Sequence, residues 1–244
     1  MEENLLFVRD EPALLLKKER VLVVGDLHIG VEFKMGREGI NFPNSSLRLA
    51  ARINKISRES RAKAVLFLGD IKERIGFPTS DEADEIRTFF RALECKKIMI
   101  AKGNHDSRIG DMLGSMGLDV SIEKEFIVGK FVLMHGNSWP SEEGMKKGYV
   151  ITGHLHPALK SEGDARKVWL ISPIGKGAAK AYPDCNRGIR LVIAPAFNNL
   201  IIGSGVGSGT KGKLILFKNE IFDFYKTKVY GLDGHLLGTL KSLS

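Results

Sequence analysis

A chain of 244 residues is long enough for one large domain or two small ones, and a composition 43% hydrophobic and 27% charged is that of a soluble globular protein. No apolar run approaches the roughly 20 residues that a membrane-spanning helix requires, and the acidic opening MEENLLFVRDEP has no signal-peptide pattern, so no membrane association is expected. Lysine and arginine total 37 against 29 acids, and the net charge of +8 favours a polyanionic partner without requiring one. Cys95 and Cys185 are far apart, form no CxxC pair and read as reduced thiols of a cytoplasmic protein. Residues 160–190 hold seven lysines and arginines against three acids, four of the eight net charges in one short region.

In chain order, ALLLKKERVLVVGD reads as two strands joined by a charged turn, and GVEFKMGREGINFPN as a long loop. SSLRLAARINKISRESR places Leu47, Ala50, Ala51 and Ile53 at helical spacing. KAVLFLGD is a short buried strand. TSDEADEIRTFFRALEC is a helix, with Thr79 and Glu82 at the spacing of a capping box. KKIMIAKGNHD is another buried strand ending in a polar turn, followed by a short helix around 108–116. From about residue 120 the chain is mostly strand: a hairpin in IEKEFIVGKFVLMHGN, a strand in GYVITGHLH, and a second hairpin turning at Gly163-Asp164. GIRLVIAPAF, KLILFK and KVYGLDGHLLGTL are strand-like, and IFDFYKTKVY reads as a core strand carrying Ile221, Phe222 and Phe224. No linker or repeat interrupts the chain, so residues 1–244 are expected to form one α/β domain whose two sheets share a core.

Five of the six histidines lie in four polar turns: His28 in GDLH, His105 in GNHD, His135 in MHGN, and His154 and His156 in GHLH. Asp70 in LFLGD adds a fifth turn, and His235 in a DGH turn reads as exposed. Any one of these is an ordinary turn, Asp26-Leu27-His28 included. Together they are not, because strand ends along one sheet edge converge in space and bring their side chains to one cleft. Imidazole and carboxylate together suit manganese, iron or zinc better than calcium. Asp26 and His28, like His154 and His156, are two residues apart and face the same side of an extended strand. The glycines before them let the backbone turn tightly, and a carboxylate such as Asp70 can bridge two cations.

The ordered set Asp26-x-His28, Gly69-Asp70, Gly103-Asn104-His105-Asp106, His135 and Gly153-His154-x-His156 resembles the calcineurin-like metallophosphoesterase superfamily, over roughly residues 20–160. The resemblance implies an α/β two-sheet metallophosphoesterase sandwich flanked by helices. It implies two divalent ions, manganese first, with iron, zinc, nickel or magnesium as the other candidates. Asp26, His28 and His156 would hold one ion and Asn104, His135 and His154 the other, with Asp70 between them. His105 would be the catalytic histidine outside both ligand sets, protonating or stabilising the leaving oxygen, and Asp106 would orient it. Two such ions outweigh the charges of Asp26 and Asp70 and leave a site that attracts phosphate.

Within the superfamily the chain most resembles the archaeal SbcD-related phosphoesterases and the compact bacterial ligase-associated phosphoesterases. This implies a phosphodiesterase acting on DNA in repair, with a helicase or another repair protein as partner. The alternatives are a small-molecule phosphodiesterase or phosphatase, and a non-catalytic scaffold of the same fold. Only 30 positions separate His105 from His135, too few for the insertions of the large repair nucleases. The basic segment directly follows the GHLH turn, so Lys176, Lys180, Arg187 and Arg190 are expected to contact the phosphate backbone. GSGTKGKL matches G-x-x-x-x-G-K, but Leu214 stands where a phosphate-binding loop needs Ser or Thr, and the following KLILFK reads as strand rather than helix.

Overall fold

A computed structural model describes residues 3–37, 45–161, 164–207 and 212–243. The first sheet is formed by β1 (Leu5–Phe7), β2 (Leu14–Leu16), β3 (Val21–Val24), β4 (Ala64–Phe67), β5 (Lys97–Ala101) and β6 (Val120–Glu123), side by side in that order. β1, β2 and β3 are antiparallel neighbours, whereas β3 to β6 run parallel. The helices α1 (Val31–Arg37), α2 (Ser45–Ser60), α3 (Ser80–Ala92) and α4 (Ile109–Gly114) occupy the connections between these parallel strands.

The second sheet contains β7 (Glu125–Val128), β8 (Phe131–Met134), β9 (Tyr149–Thr152), β10 (Pro157–Ser161), β11 (Asp164–Pro173), β12 (Arg190–Ile193) and β13 (Ser204–Gly205), in the order β13-β10-β11-β12-β9-β8-β7. β14 (Lys228–Gly231) also pairs with β11 and carries β15 (Leu236–Thr239). Three single-turn helices, α5 (Glu142–Met145), α6 (Ala178–Ala181) and α7 (Ile215–Lys218), lie among these strands. β8, β9 and β12 run parallel to one another.

Alternation along the strands builds the layers. Val21, Val23, Ala64, Leu66, Met99 and Ala101 of the first sheet meet Phe131, Leu133, Ile151, Trp169 and Val192 of the second in one buried cluster. The intervening Leu22, Val24, Val65, Phe67, Ile98 and Ile100 point the other way, onto Leu49, Ile53, Ile86, Phe89 and Phe90 of the helices. Val132, Met134, Val150, Leu191 and Ile193 face a third cluster that contains Leu216, Phe217 and Phe222. The fold is thus an α/β sandwich of two sheets with helices on its flanks. No helix among the described residues is long and apolar enough to cross a membrane.

Four local expectations change. GVEFKMGREGINFPN is not loop throughout, since its start forms α1; residues 38–44 lie outside the described residues, as does Gly163. Ile215–Lys218 of KLILFK form the single helical turn α7 rather than a strand, while residues 208–211 of GSGTKGKL lie outside the described residues and Leu214 still stands in place of Ser or Thr. Leu214 and Leu216 are buried, so the apolar run serves the core. Ile221, Phe222 and Phe224 are core residues as expected, but they sit in irregular backbone with one isolated bridge, Ile174 to Phe222. Residues 122–123 belong to β6 of the first sheet, and the chain crosses to the second sheet at Lys124. The Thr79 hydroxyl does cap α3 by accepting from Glu82 N, while the Glu82 carboxylate turns away to accept from Arg74 N.

Phe67 is fully buried, with the rings of Phe89 and Phe90 5.9 and 6.2 Å away. Phe67→Ala should lower unfolding free energy by about 3–5 kcal/mol, measured by urea denaturation.

Candidate metal centre

The carboxyl ends of parallel strands from both sheets meet at one edge. β3 runs into Asp26 and His28, β4 into Asp70, β5 into Asn104 and His105, β8 into His135, and β9 into His154 and His156. The turn after β3 is zipped onto the turn after β4, with Asp26 N donating to Gly69 O, His28 N to Asp70 O and Ile29 N to Ile71 O. From the second sheet, Phe197 N donates to Gly25 O and Asn198 Nδ2 to Leu27 O. His154 N donates to both carboxylate oxygens of Asp26, joining the sheets at the site itself.

Three donor groups result among the described residues, one of them His28, Glu73 and His105. In the other two, Asp26, His28, Asp70 and His156 bring one ligand atom each within 4.8 Å of one another, and so do Asp70, His135 and His154. Asp70 is common to both of these. Asn104 joins the second group through its Oδ1, 3.1 Å from His135 Nε2. His28 Nε2 and His156 Nε2 are 3.2 Å apart, and His156 Nε2 is 3.1 Å from Asp26 Oδ1. Asp26, His28, Asp70 and His135 form a buried floor, His105, His154 and His156 are half-buried, and Asn104 is exposed.

The protonation of His135 tests whether this set fits a cation. Its Nδ1 donates to the Leu68 carbonyl at 2.7 Å, so in the neutral ring Nε2 carries only a lone pair. That lone pair faces Asp70 Oδ2 at 3.3 Å, Asn104 Oδ1 at 3.1 Å and His154 Nδ1 at 2.9 Å. Electron pairs so aimed repel unless a proton or a cation stands among them. Without metal, a proton fills the role. Burial alone would lower His135, but the hydrogen bond and charge of Asp70, with the charge of Asp26, raise it to about 9. His154 beside it is pushed down to about 4 by burial and by the charge of His135. Asp26 and Asp70 both stay below the usual carboxylate range, because neighbouring histidines outweigh the burial that would raise them. The donors fit a nitrogen- and oxygen-binding divalent ion.

Backbone conformation concentrates here as well. Asp26, His28, Asp70, His154 and His156 all have positive φ, between 44° and 68°, so five of the seven expected ligands occupy the left-handed region. Non-glycine residues held there cost roughly 1–3 kcal/mol each and cluster at functional sites. Neither Gly25 nor Gly153, the glycines before the Asp26/His28 and His154/His156 pairs, has positive φ, so the tight turning falls to the ligands themselves. Gly103 and Gly153 provide space, since a Cβ there would lie 2.2 Å from Asp70 Oδ1 and 2.4 Å from Asp26 Oδ2 respectively.

His105 and Asp106 separate. His105 Nε2 faces the site, 4.0 Å from Asp70 Oδ2, while its Nδ1 meets the backbone carbonyl of Glu73. Asp106 does not orient it. Asp106 Oδ1 accepts from Ile71 N, and Oδ2 from Asp70 N and Gly103 N, each at 2.8 Å, so the carboxylate knots the two loops that carry Asp70 and Asn104. Sequence reasoning also missed Glu73, whose Oε2 lies 2.8 Å from His28 Nδ1. Nothing in the charged run KER distinguishes it from a surface acid.

The four expected phosphate contacts are not brought to the site. Arg190 pairs with Tyr149 at the start of β9, the end opposite His154, and Pro173 pairs with Arg190 at that same end. Lys176, Lys180 and Arg187 follow there, and all four side chains are solvent-exposed, with Lys176 paired to Glu220. β11 carries the chain away from the GHLH turn, so nearness in sequence is lost in space. Lys167, earlier on β11, does remain near the site end, donating to the carbonyls of Ala196 and Asn198.

A model of the calcineurin-like phosphoesterase family matches residues 19–167, the span that holds every one of these turns. The chain belongs to this family. It is accordingly a metal-dependent phosphoesterase. Among solved structures, this phosphoesterase is similar to the nuclease MPE of Pseudomonas putida, with 17% identity, 96% of this chain and 94% of that one covered, and a TM-score of 0.58, which shows a common fold. It also matches YfcE, a phosphoesterase from E. coli, with 15% identity, 89% and 96% of the chains covered, and a TM-score of 0.39. No curated protein matches its sequence.

Because Gly153 has no room for a side chain, Gly153→Ala should displace Asp26 and weaken manganese binding by about tenfold or more, read by titration of the metal-free protein.

Proposed function

We propose that this phosphoesterase is a two-metal phosphodiesterase that cleaves DNA, acting in repair, with manganese as its ion. The observation that carries the reading is Asp70, shared by two donor groups and faced through its Oδ2 by a histidine from outside the seven ligands. In this reading Asp26, His28 and His156 hold one ion, Asn104, His135 and His154 hold the other, and Asp70 serves both. Two bound divalent ions supply charge neutralisation at the phosphoryl group and activation of water.

The rest is done by the chain. His105 has its Nδ1 committed to a carbonyl acceptor, so the proton it can give or take is the one on Nε2. That nitrogen faces Asp70 Oδ2 at 4.0 Å, and with a phosphodiester bound at the ions it would protonate the leaving oxygen. A diester then yields a phosphomonoester and a free hydroxyl. Asp106, by fixing the backbones of residues 70, 71 and 103, keeps Asp70 and Asn104 in mutual register. The scaffold alternative requires eroded ligands, whereas all seven donors and His105 are present.

Support for DNA comes from the net charge of +8, the open side of the site at Asn104, and the fold common with a nuclease over nearly the whole chain. The remote position of Lys176, Lys180, Arg187 and Arg190 favours a second reading, a small-molecule phosphodiesterase. Manganese-loaded protein assayed in parallel on labelled single- and double-stranded DNA and on bis-p-nitrophenyl phosphate separates them. Cleavage of DNA supports the first reading, and turnover of the small diester alone supports the second.

Two variants probe the roles. His105→Ala should keep its metal content and lose roughly 10²- to 10⁴-fold in kcat; loss of metal would make His105 a ligand. Replacing Lys176, Lys180, Arg187 and Arg190 together by alanine should leave the rate of DNA cleavage and its salt dependence unchanged. A shallower salt dependence would return that face to the substrate path.

A further inference from the structure

We infer that Glu73 is a positioning residue that sets the metal-binding form of His28 and the orientation of His105 together; the inference rests on the two-ion reading above. One residue touches the outward nitrogens of both rings. Glu73 Oε2 is 2.8 Å from His28 Nδ1, and the Glu73 carbonyl meets His105 Nδ1. The inward nitrogens of the same two rings face one atom, Asp70 Oδ2, at 3.7 Å from His28 and 4.0 Å from His105. The rings themselves stand edge to face with centroids 5.0 Å apart.

Glu73 is held firmly enough to do this. Its N donates to Ile29 O at 2.9 Å, Ile29 N donates to Ile71 O, and Ile29 bridges to Lys72 in parallel register. The 70–73 segment is thereby fastened to the 28–29 segment, and the Glu73 backbone cannot shift without moving His28. The Lys72 ammonium donates to the carbonyls of Arg74 and Gly76, and Gly76 N donates to Ser107 Oγ, which ties the loop beyond Glu73 to the His105 turn. The second carboxylate oxygen, Oε1, pairs with the Lys34 ammonium of α1. Only 11% of the Glu73 side chain is exposed, so solvent screens the His28 contact little.

The chemistry follows from the tautomer. A carboxylate beside Nδ1 keeps the proton there and leaves the lone pair on Nε2, the nitrogen that faces Asp70 and His156. It also makes that lone pair a stronger ligand. The carbonyl performs the same selection on His105, where Nε2 then carries the exchangeable proton. The side chain of Glu73 thus serves one ion and its main chain serves the leaving group, through a fixed backbone.

Manganese titration of the metal-free protein by calorimetry tests this. Wild type should bind two ions. Glu73→Ala should bind one of them about 10- to 100-fold more weakly and the other, held by Asp70, Asn104, His135 and His154, as before. Glu73→Gln, which keeps an oxygen acceptor in the same volume, should recover most of the lost affinity. Added manganese should restore hydrolysis by Glu73→Ala but not by His105→Ala. Unchanged affinity for both ions in Glu73→Ala, or no recovery of affinity in Glu73→Gln, would overturn the inference while the two-ion reading stands. A wild type that binds no manganese would overturn that reading itself.

Discussion

Lone pairs that point at one another inside a protein require a positive charge among them, and the centre of this molecule is built on that requirement. Asp70 Oδ2 has the Nε2 atoms of His135, His28 and His105 at 3.3, 3.7 and 4.0 Å. The outward Nδ1 of each ring lies beside an oxygen: it is hydrogen-bonded to the Leu68 carbonyl in His135 and to the Glu73 carbonyl in His105, and in His28 it stands 2.8 Å from the Glu73 carboxylate as an ion-pair contact. Each ring therefore turns its other nitrogen inward, and the inward nitrogens crowd one carboxylate. A proton on His135, 2.9 Å from His154 Nδ1, relieves part of this crowding, and divalent ions held there would relieve more of it.

The fold supplies the convergence. Parallel strands in both sheets end at one edge, and the central core of Val23, Leu66, Met99, Leu133, Ile151 and Val192 locks those edges together. Above it the backbone adopts left-handed turns at the ligands themselves, and the glycines at 103 and 153 open room for the Asp70 and Asp26 carboxylates. Asp106, fully buried, accepts three backbone N–H groups from the two loops and holds them in register. The local strain is offset by packing on both sides of each sheet.

Much of this was legible in the sequence, because metal chemistry restricts residue type severely. Five histidines in four turns, every turn containing a glycine, are too specific to arise from packing, and the alternation of apolar residues marks the strands that carry them. What stayed hidden depends on direction rather than identity. An aspartate beside a histidine reads the same whether it faces the ring or the backbone, so only the structure shows that Asp106 holds backbone N–H groups rather than His105. The basic segment adjoins the GHLH turn in sequence, but β11 and β12 carry Lys176, Lys180, Arg187 and Arg190 to the opposite end of the sheet. KLILFK and the stretch that forms α1 are too short for periodicity to separate helix from other structure. Glu73 gave no signal, since its function lies in a main-chain carbonyl and one contact across 45 residues.

The measurement that bears most directly on the account is anomalous diffraction from crystals of the manganese-loaded protein. Two manganese peaks should flank Asp70 about 3.5–4 Å apart, one bounded by Asp26, His28 and His156 and the other by Asn104, His135 and His154. A single peak, or two peaks that do not have Asp70 in common, would contradict it.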